Sequence, residues 1–270
     1  MDMNIWHWHS WEGLPYLTCS LLEPWSHGFF TSLFSPLTPL ELVEVLQPGA
    51  DVYRVKQVHG NTVLTPSMIA EAIAEGKKEQ EGGLVPADGM VTEKANQAIW
   101  VCSADCTPVL IADRHTGQVA AIHAGWRGTA SKIVPEAIAN LVACGSKLEN
   151  LLVAMGPAIS GEVYQVSVDV AFVVGKSITP ANVAHSHEEI LEILQDLPDS
   201  PVLPDPEADK VRLDVRRVNA IQLAQLGINS EQIAIAPHCT YQEPDKFFSY
   251  RRSQLKKVQW SGIVSLSAVK

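Results

Sequence analysis

A chain of 270 residues, 46% of them hydrophobic, is long and apolar enough to bury a substantial core, which excludes disorder as its main state. Thirty acidic residues against twenty basic ones give a formal charge of −10, which repels a phosphate backbone and excludes nucleic acid held by counterion release. There is no eighteen-residue apolar run and no signal-peptide pattern in "MDMNIWHWHSWEG", so a cytoplasmic protein with no membrane partner is expected. The five cysteines, Cys19, Cys102, Cys106, Cys144 and Cys239, are odd in number and widely spread. A chain of this size does not need staples, so any cysteine that matters here acts as a thiolate rather than in a disulfide. No internal repeat or low-complexity linker divides the sequence, and a single domain over residues 1–270 is expected.

In chain order, the first segment carries Trp6, His7, Trp8, His9 and Trp11 and reads as an edge strand. "DVYRVKQVHG", residues 51–60, alternates valines and reads as a strand with His59 at its end. "SMIAEAIAEG" reads as a short helix, and the charged, glycine-rich stretch 76–89 after it as an exposed loop. "PVLIADRHTGQVAAIHAGWRG" reads as a β-hairpin around the turn "DRHTG". With a loop of four residues, 113–116 or 114–117, Cys106 lies opposite or diagonal to His123, and both side chains share one face.

An amphipathic helix follows in "TASKIVPEAIANLVACG", with Val134, Ala137, Ile138, Leu141 and Val142 on its apolar side. "NLLVAMGPAIS" reads as a strand, and "SHEEILEILQDL" as a helix opened by a capping box from Ser186 to Glu189. The proline-rich stretch 197–210 reads as a surface loop. "LDVRRVNAIQLAQLG" is a helix with Asp214 as N-cap and Gly227 just past its end. "QIAIAPHCT" and "WSGIVSLSAV" complete the strands. Strands and helices mix without strict βαβ alternation, so the expected class is α+β.

The chemistry centres on "CSADCTPVL". A free cysteine usually packs as a small hydrophobe. Asp105 is an odd neighbour for one that does, however, and the hairpin brings His123 close to Cys106. A cysteine beside a histidine suits either an activated nucleophile or a metal site. His59 adds a second imidazole, and two histidines with one thiolate match the three protein ligands of a catalytic zinc site with an open fourth position. Cys102 is not a further ligand, because four residues along a strand span about 13 Å. The pairs His7/His9 and His185/His187 read as structural. In "HAGWRG", Gly125 and Gly128 flank Trp126 and Arg127 where a strand turns into a helix, an arrangement that suits an anion such as phosphate. "CTYQEPDKFFSYRR" places Arg251 and Arg252 after paired aromatics, where one of them can reach the same anion.

Taken together, "QVHGN", "ADGMVT", "SADCTPVLIAD", "HAGWRG", "GPAIS" with Tyr164, and "CTYQEPDKFFSYRR" closely resemble, in this order, the laccase-domain or multicopper polyphenol oxidase family, whose members are understood as zinc-dependent purine nucleoside phosphorylases. The resemblance implies an α+β fold with two mixed β-sheets packed together and helices on the outside. It implies His59, Cys106 and His123 as metal ligands, with Zn2+ as cofactor and Cu2+ able to enter the same site. The implied reactions are phosphorolysis of adenosine, inosine, guanosine and methylthioadenosine to base plus sugar 1-phosphate, and deamination of adenosine. In that setting Arg127 and the arginines of "YRR" are candidates for phosphate, and Asp105, Arg127 and Cys106 for catalysis. The partners are then purine nucleosides and phosphate, with the chain a monomer or small homo-oligomer. This sequence departs from the family pattern at Ser32, Ser160, Glu162, Val163 and Gln165, which bears on base and phosphate preference.

Two rival functions are a cysteine hydrolase or transferase, with Cys106 as nucleophile and His123 as base, and a copper-dependent phenol oxidoreductase. The second needs several histidine-rich copper sites, and nine histidines, some apparently stray, fall short of that.

Overall fold

The structure is a computed structural model that describes residues 5–76, 83–180, 182 and 186–268. His185 and residues 77–82 of the charged stretch 76–89 read above as a loop lie outside the described residues. The strands are β1 (Trp6–Trp11), β2 (Leu14–Cys19), β3 (His27–Phe30), β4 (Asp51–Arg54), β5 (Val63–Leu64), β6 (Gly89–Val91), β7 (Gln97–Ser103) and β8 (Thr107–Asp113). They continue as β9 (Val119–Ala124), β10 (Leu151–Met155), β11 (Gln165–Ser167), β12 (Val202–Pro204), β13 (Lys210–Leu213), β14 (Ile233–Ile235) and β15 (Gln259–Val264). The helices are α1 (Pro39–Leu46), α2 (Pro66–Ala74), α3 (Trp126–Ala130), α4 (Ile133–Ala143), α5 (Val168–Gly175), α6 (His187–Gln195), α7 (Val215–Leu226) and α8 (Tyr250–Ser253).

Two six-stranded mixed sheets form the body of the fold, ordered β1-β2-β3-β15-β7-β4 and β14-β10-β8-β9-β6-β5, and a three-stranded sheet β11-β13-β12 stands beside them. The large sheets pack face to face through Phe29, Ile99, Val101 and Ile263 on one side and Leu110, Ala112, Val119, Ala121 and Ala154 on the other. Their outer faces carry helices. Val109, Ile111, Ile122 and Val153 pack with Ile133, Ala137 and Leu141 of α4 and Leu223 of α7. Phe30, Ala98 and Trp100 pack with Leu42 and Val43 of α1. The α/β/β/α layering implied by the resemblance is therefore the one found. Because both faces of β8 and β9 are covered, these strands read as continuous apolar runs rather than alternating ones.

The cap residues act as the sequence indicates. Asp214 accepts the Arg217 N–H at 3.0 Å, Ser186 and Glu189 close a capping box, and Gly227 ends α7 with φ +94°. His9 bonds Thr18 Oγ1 at 2.9 Å, and His187 stacks on Phe172 and lies 3.2 Å from Asp169, all structural contacts.

Four expectations are corrected. The strand foreseen over 51–60 ends at Arg54, and His59 lies in a loop with φ +63°. The helix foreseen over "TASKIVPEAIANLVACG" is broken at Lys132, which takes φ +60°, and Val142 is 44% exposed rather than on the buried side. The stretch 197–210 contains β12, drawn into the small sheet by Val202, which is buried against α5 and α6. The three-stranded sheet itself was not foreseen, because its strands have only three or four residues each.

His27, at the start of β3, is 5% exposed; its Nδ1 bonds the Trp25 carbonyl at 2.8 Å and its Nε2 accepts the Cys19 N–H at 2.9 Å. Protonation would destroy that acceptor, and burial lowers the imidazole pKa from 6.5 to about 4. A base with a depressed folded-state pKa stabilises the fold fully above pH 6.5 and loses that contribution as pH falls toward 4, a loss of about 3 kcal/mol. Denaturant titrations at pH 7 and pH 4.5 should show this drop for the wild type and a smaller one for His27→Gln; equal drops would remove His27 as its source.

Candidate active site

The site lies at the end of the β8–β9 hairpin remote from its turn. The register Thr107↔Ala124 and Pro108↔His123, with a loop over 114–117, places Cys106 opposite Gly125 and diagonal to His123. By strand alternation both side chains lie on the face that bears Leu110, Ala112, Val119 and Ala121, at the mouth of the layer between the large sheets. His59 comes from the loop that crosses from β4 in one large sheet to β5 in the other.

What holds that loop in place is Asp88, a fully buried carboxylate just before β6. Its Oδ1 accepts the His59 N–H at 2.9 Å and lies 2.9 Å from His123 Nδ1, while Oδ2 accepts the N–H groups of Gly60 at 2.7 Å and Val58 at 3.1 Å. Burial alone would raise its pKa. The His123 ring and the backbone N–H groups of Gly60 and Val58 outweigh this and keep it below the usual carboxylate range. With Nδ1 committed to Asp88, His123 presents Nε2 to the site, the orientation an outer carboxylate imposes on a metal-binding imidazole. The His59 and His123 rings meet edge to face at 4.9 Å.

The ligand atoms of His59, Cys106 and His123 lie within 4.8 Å of one another, so the three residues could hold a metal ion. They are the one such set of three or more His, Cys, Asp or Glu donors among the described residues. Burial would raise the Cys106 thiol, but His123 and His59 beside it bring it down to about 6, which favours thiolate at neutral pH. His123 is raised, the Cys106 thiolate and Asp88 outweighing its burial. Cys102, pushed up to about 11 chiefly by burial, stands outside the set.

The other foreseen residues separate by their partners. A Cβ on Gly125 would sit 2.7 Å from Cys106 Sγ, and one on Gly128 would sit 2.9 Å from the Gly60 carbonyl oxygen. Both glycines are thus explained by close approach to the donor set and its loop. Neither glycine needs the anion cradle expected at Gly125 and Gly128 to account for its place. Arg127 is exposed; its guanidinium lies 4.4 Å from the Trp126 ring centroid and has no hydrogen-bond or ion-pair partner among the described residues.

Arg251 lies 4.8 Å over the Tyr164 ring and gives one Nη1 bond to the Gln165 carbonyl, so part of its fork stays uncommitted. Arg252 is a correction. It donates to the carbonyls of Thr240, Tyr241 and Phe247 at 2.6–2.7 Å, which ties the 240–247 loop to α8 and occupies it structurally rather than with an anion. Asp105 likewise has both oxygens engaged, by Thr240 Oγ1 at 2.8 Å and the Arg251 N–H at 2.7 Å. It anchors α8 beside the donor set.

Among the departures, Ser160 bonds Gln242, Gln165 bonds Asp205, and Glu162 is exposed. Asp88 and Tyr164 were given no role from sequence. The signal for Asp88 was an acid alone among small and apolar residues in "VPADGMV".

The family described as "Multi-copper polyphenol oxidoreductase laccase" matches residues 41–265. Purine nucleoside phosphorylase slr1573 of Synechocystis sp. is 50% identical over 265 residues, covering 98% of this chain and 99% of that protein. Adenosine deaminase RL5, from an unknown prokaryotic organism, is 32% identical over 174 residues, 64% of this chain and 60% of that protein. The crystal structure of YlmD from Geobacillus stearothermophilus superposes with a TM-score of 0.73 at 22% identity, covering 96% of this chain and 99% of that one, a shared fold. An α+β body with one nitrogen-and-sulfur donor set is what fold and site define, and the chain belongs to this laccase-like family. Its described residues offer no second metal cluster of the kind a multicopper oxidase requires, and these relatives bear phosphorylase and deaminase names.

Asp88→Asn should weaken divalent-metal affinity by about 10–100-fold in competition with a chelator; unchanged affinity would reduce Asp88 to a packing role. In the wild type, affinity should fall as pH drops, because protons on His123, whose pKa is raised, and then on the Cys106 thiol, brought down to about 6, compete with the metal. A flat profile from pH 7 to 5 would count against Cys106 as a ligand.

Proposed function

We propose that this chain is a zinc-dependent purine nucleoside phosphorylase that also deaminates adenosine. The observation that carries the reading is the 50% identity, over nearly all of both chains, to a protein named purine nucleoside phosphorylase. The donor set supports zinc. Two imidazole nitrogens and a thiolate are the ligand types this ion takes, at bonds of about 2.0–2.3 Å, and three protein ligands leave one position open. Asp88 supplies the outer hydrogen bond, and Gly125 leaves room for the Cys106 sulfur.

When bound, the ion supplies Lewis acidity, which makes water a stronger acid and polarises a substrate atom. The chain's own residues do the rest. His59, Cys106 and His123 fix the position of the ion, and Asp88 holds two of them through one carboxylate. Arg127, stacked on Trp126 and otherwise unpartnered, binds phosphate through its planar fork, and the uncommitted part of Arg251 assists. Asp105 positions Arg251 through its backbone N–H. The substrates are adenosine, inosine, guanosine and methylthioadenosine, cleaved to base and sugar 1-phosphate by one domain over residues 1–270, acting in the cytoplasm. Among the described residues no helix is long and apolar enough to cross a membrane.

The thiolate beside His123 also suits a nucleophilic Cys106. In that mechanism His59 has no task, and Cys106 would form a covalent adduct with substrate in metal-free protein.

Metal-replete protein given adenosine should release adenine and ribose 1-phosphate only when phosphate is present, and inosine without it, with a chelator abolishing both. Chromatography that finds neither adenine nor inosine would sink the proposal. Arg127→Ala should raise the KM for phosphate at least tenfold while leaving deamination nearly intact, the pattern expected when a binding contact alone is lost.

A further inference from the structure

We propose that Tyr164 donates the hydrogen bond that stabilises the departing purine, an inference that rests on the phosphorylase reading above. Phosphorolysis breaks the bond between C1′ of the sugar and the purine nitrogen, leaves its electron pair on the ring, and joins C1′ to a phosphate oxygen. The ring must therefore receive a proton or a strong hydrogen bond as it leaves. Hydrogenphosphate accounts for the balance, because its own proton is lost when the sugar phosphate forms.

Most polar groups around the donor set are already committed. Asp88 is saturated by four donors, Asp105 by two, and Arg252 by three carbonyls. Arg127 and Arg251 are permanent cations suited to phosphate, with no proton to transfer at neutral pH.

The Tyr164 hydroxyl is different. It has no hydrogen-bond partner among the described residues, and its ring is half-buried. The ring is fixed on three sides: by the Arg251 guanidinium at 4.8 Å, by backbone bonds from Tyr164 N–H to Ser160 and from Leu213 N–H to Tyr164, and by packing on the cluster that also carries Trp126. Arg251 is in turn tied through its backbone N–H to Asp105, next to Cys106 in sequence, and the phenol feels the Cys106 charge, which puts it in the field of the donor set. Burial raises it to about 12, with the Cys106 and Asp105 charges adding to this and Arg251 and Arg127 opposing, so it remains a neutral O–H donor across the working range of pH. A neutral donor, ordered before substrate arrives and placed among these groups, fits the negative charge that develops on the leaving ring.

The test is leaving-group dependence. The wild type and Tyr164→Phe, both zinc-loaded, are compared on inosine and on 7-methylinosine, whose purine already carries a positive charge and departs without a donated proton. Tyr164→Phe should lower kcat on inosine by roughly 100-fold, leave the rate on 7-methylinosine near that of the wild type, and leave zinc stoichiometry and Tm unchanged. Equal losses on both nucleosides, no loss on inosine, or loss of zinc or of fold would each overturn the assignment. A wild type that cleaves neither nucleoside in phosphate would instead overturn the phosphorylase reading, and this inference with it.

Discussion

A carboxylate with no exposed surface must find donors on every side, and the four that Asp88 finds come from two parts of the chain far apart in sequence. Three are successive backbone N–H groups of the loop that leaves β4; the fourth is the His123 ring on β9. An unpartnered buried charge is far more costly than an exposed one, so the loop and the ring are held to the same point. This one anion holds the left-handed turn at His59 and the ring orientation of His123. Remove it and the three donors lose their common centre.

The same economy explains the glycines and arginines around the site. Gly125 and Gly128 lie where a side chain would collide with Cys106 or with the His59 loop, so their place in "HAGWRG" follows from crowding. Asp105 and Arg252 fasten the 240–252 segment, one through a carboxylate that gathers donors and the other through a guanidinium that gathers carbonyls. Two arginines close together in the sequence thus do different work. Arg127 has an aromatic ring beneath it and no acceptor among the described residues.

Much of the frame was legible in the sequence because it rests on local rules. The turn "DRHTG" and the strand period put Cys106 opposite or diagonal to His123, of which the fold takes the diagonal, and Asp214, Ser186 and Gly227 mark helix ends by hydrogen bonds within a few residues. The helix break at Lys132 and the strand at Val202–Pro204 were not legible, because each depends on packing between distant segments that overrides local propensity.

By itself, the sequence determined the α+β class, the paired faces of the central hairpin, and the residue types from which a metal-binding set can be drawn. Tertiary structure alone decided that His59 joins that set from an exposed loop rather than a strand end, that Asp88 binds the set together, and that Arg252 is occupied while Arg127 has no partner among the described residues. The division has a physical reason. Periodicity and capping act over a few residues and leave a mark in composition, whereas a buried charge is satisfied by whatever donors the fold brings to it, and their distance along the chain leaves no such mark.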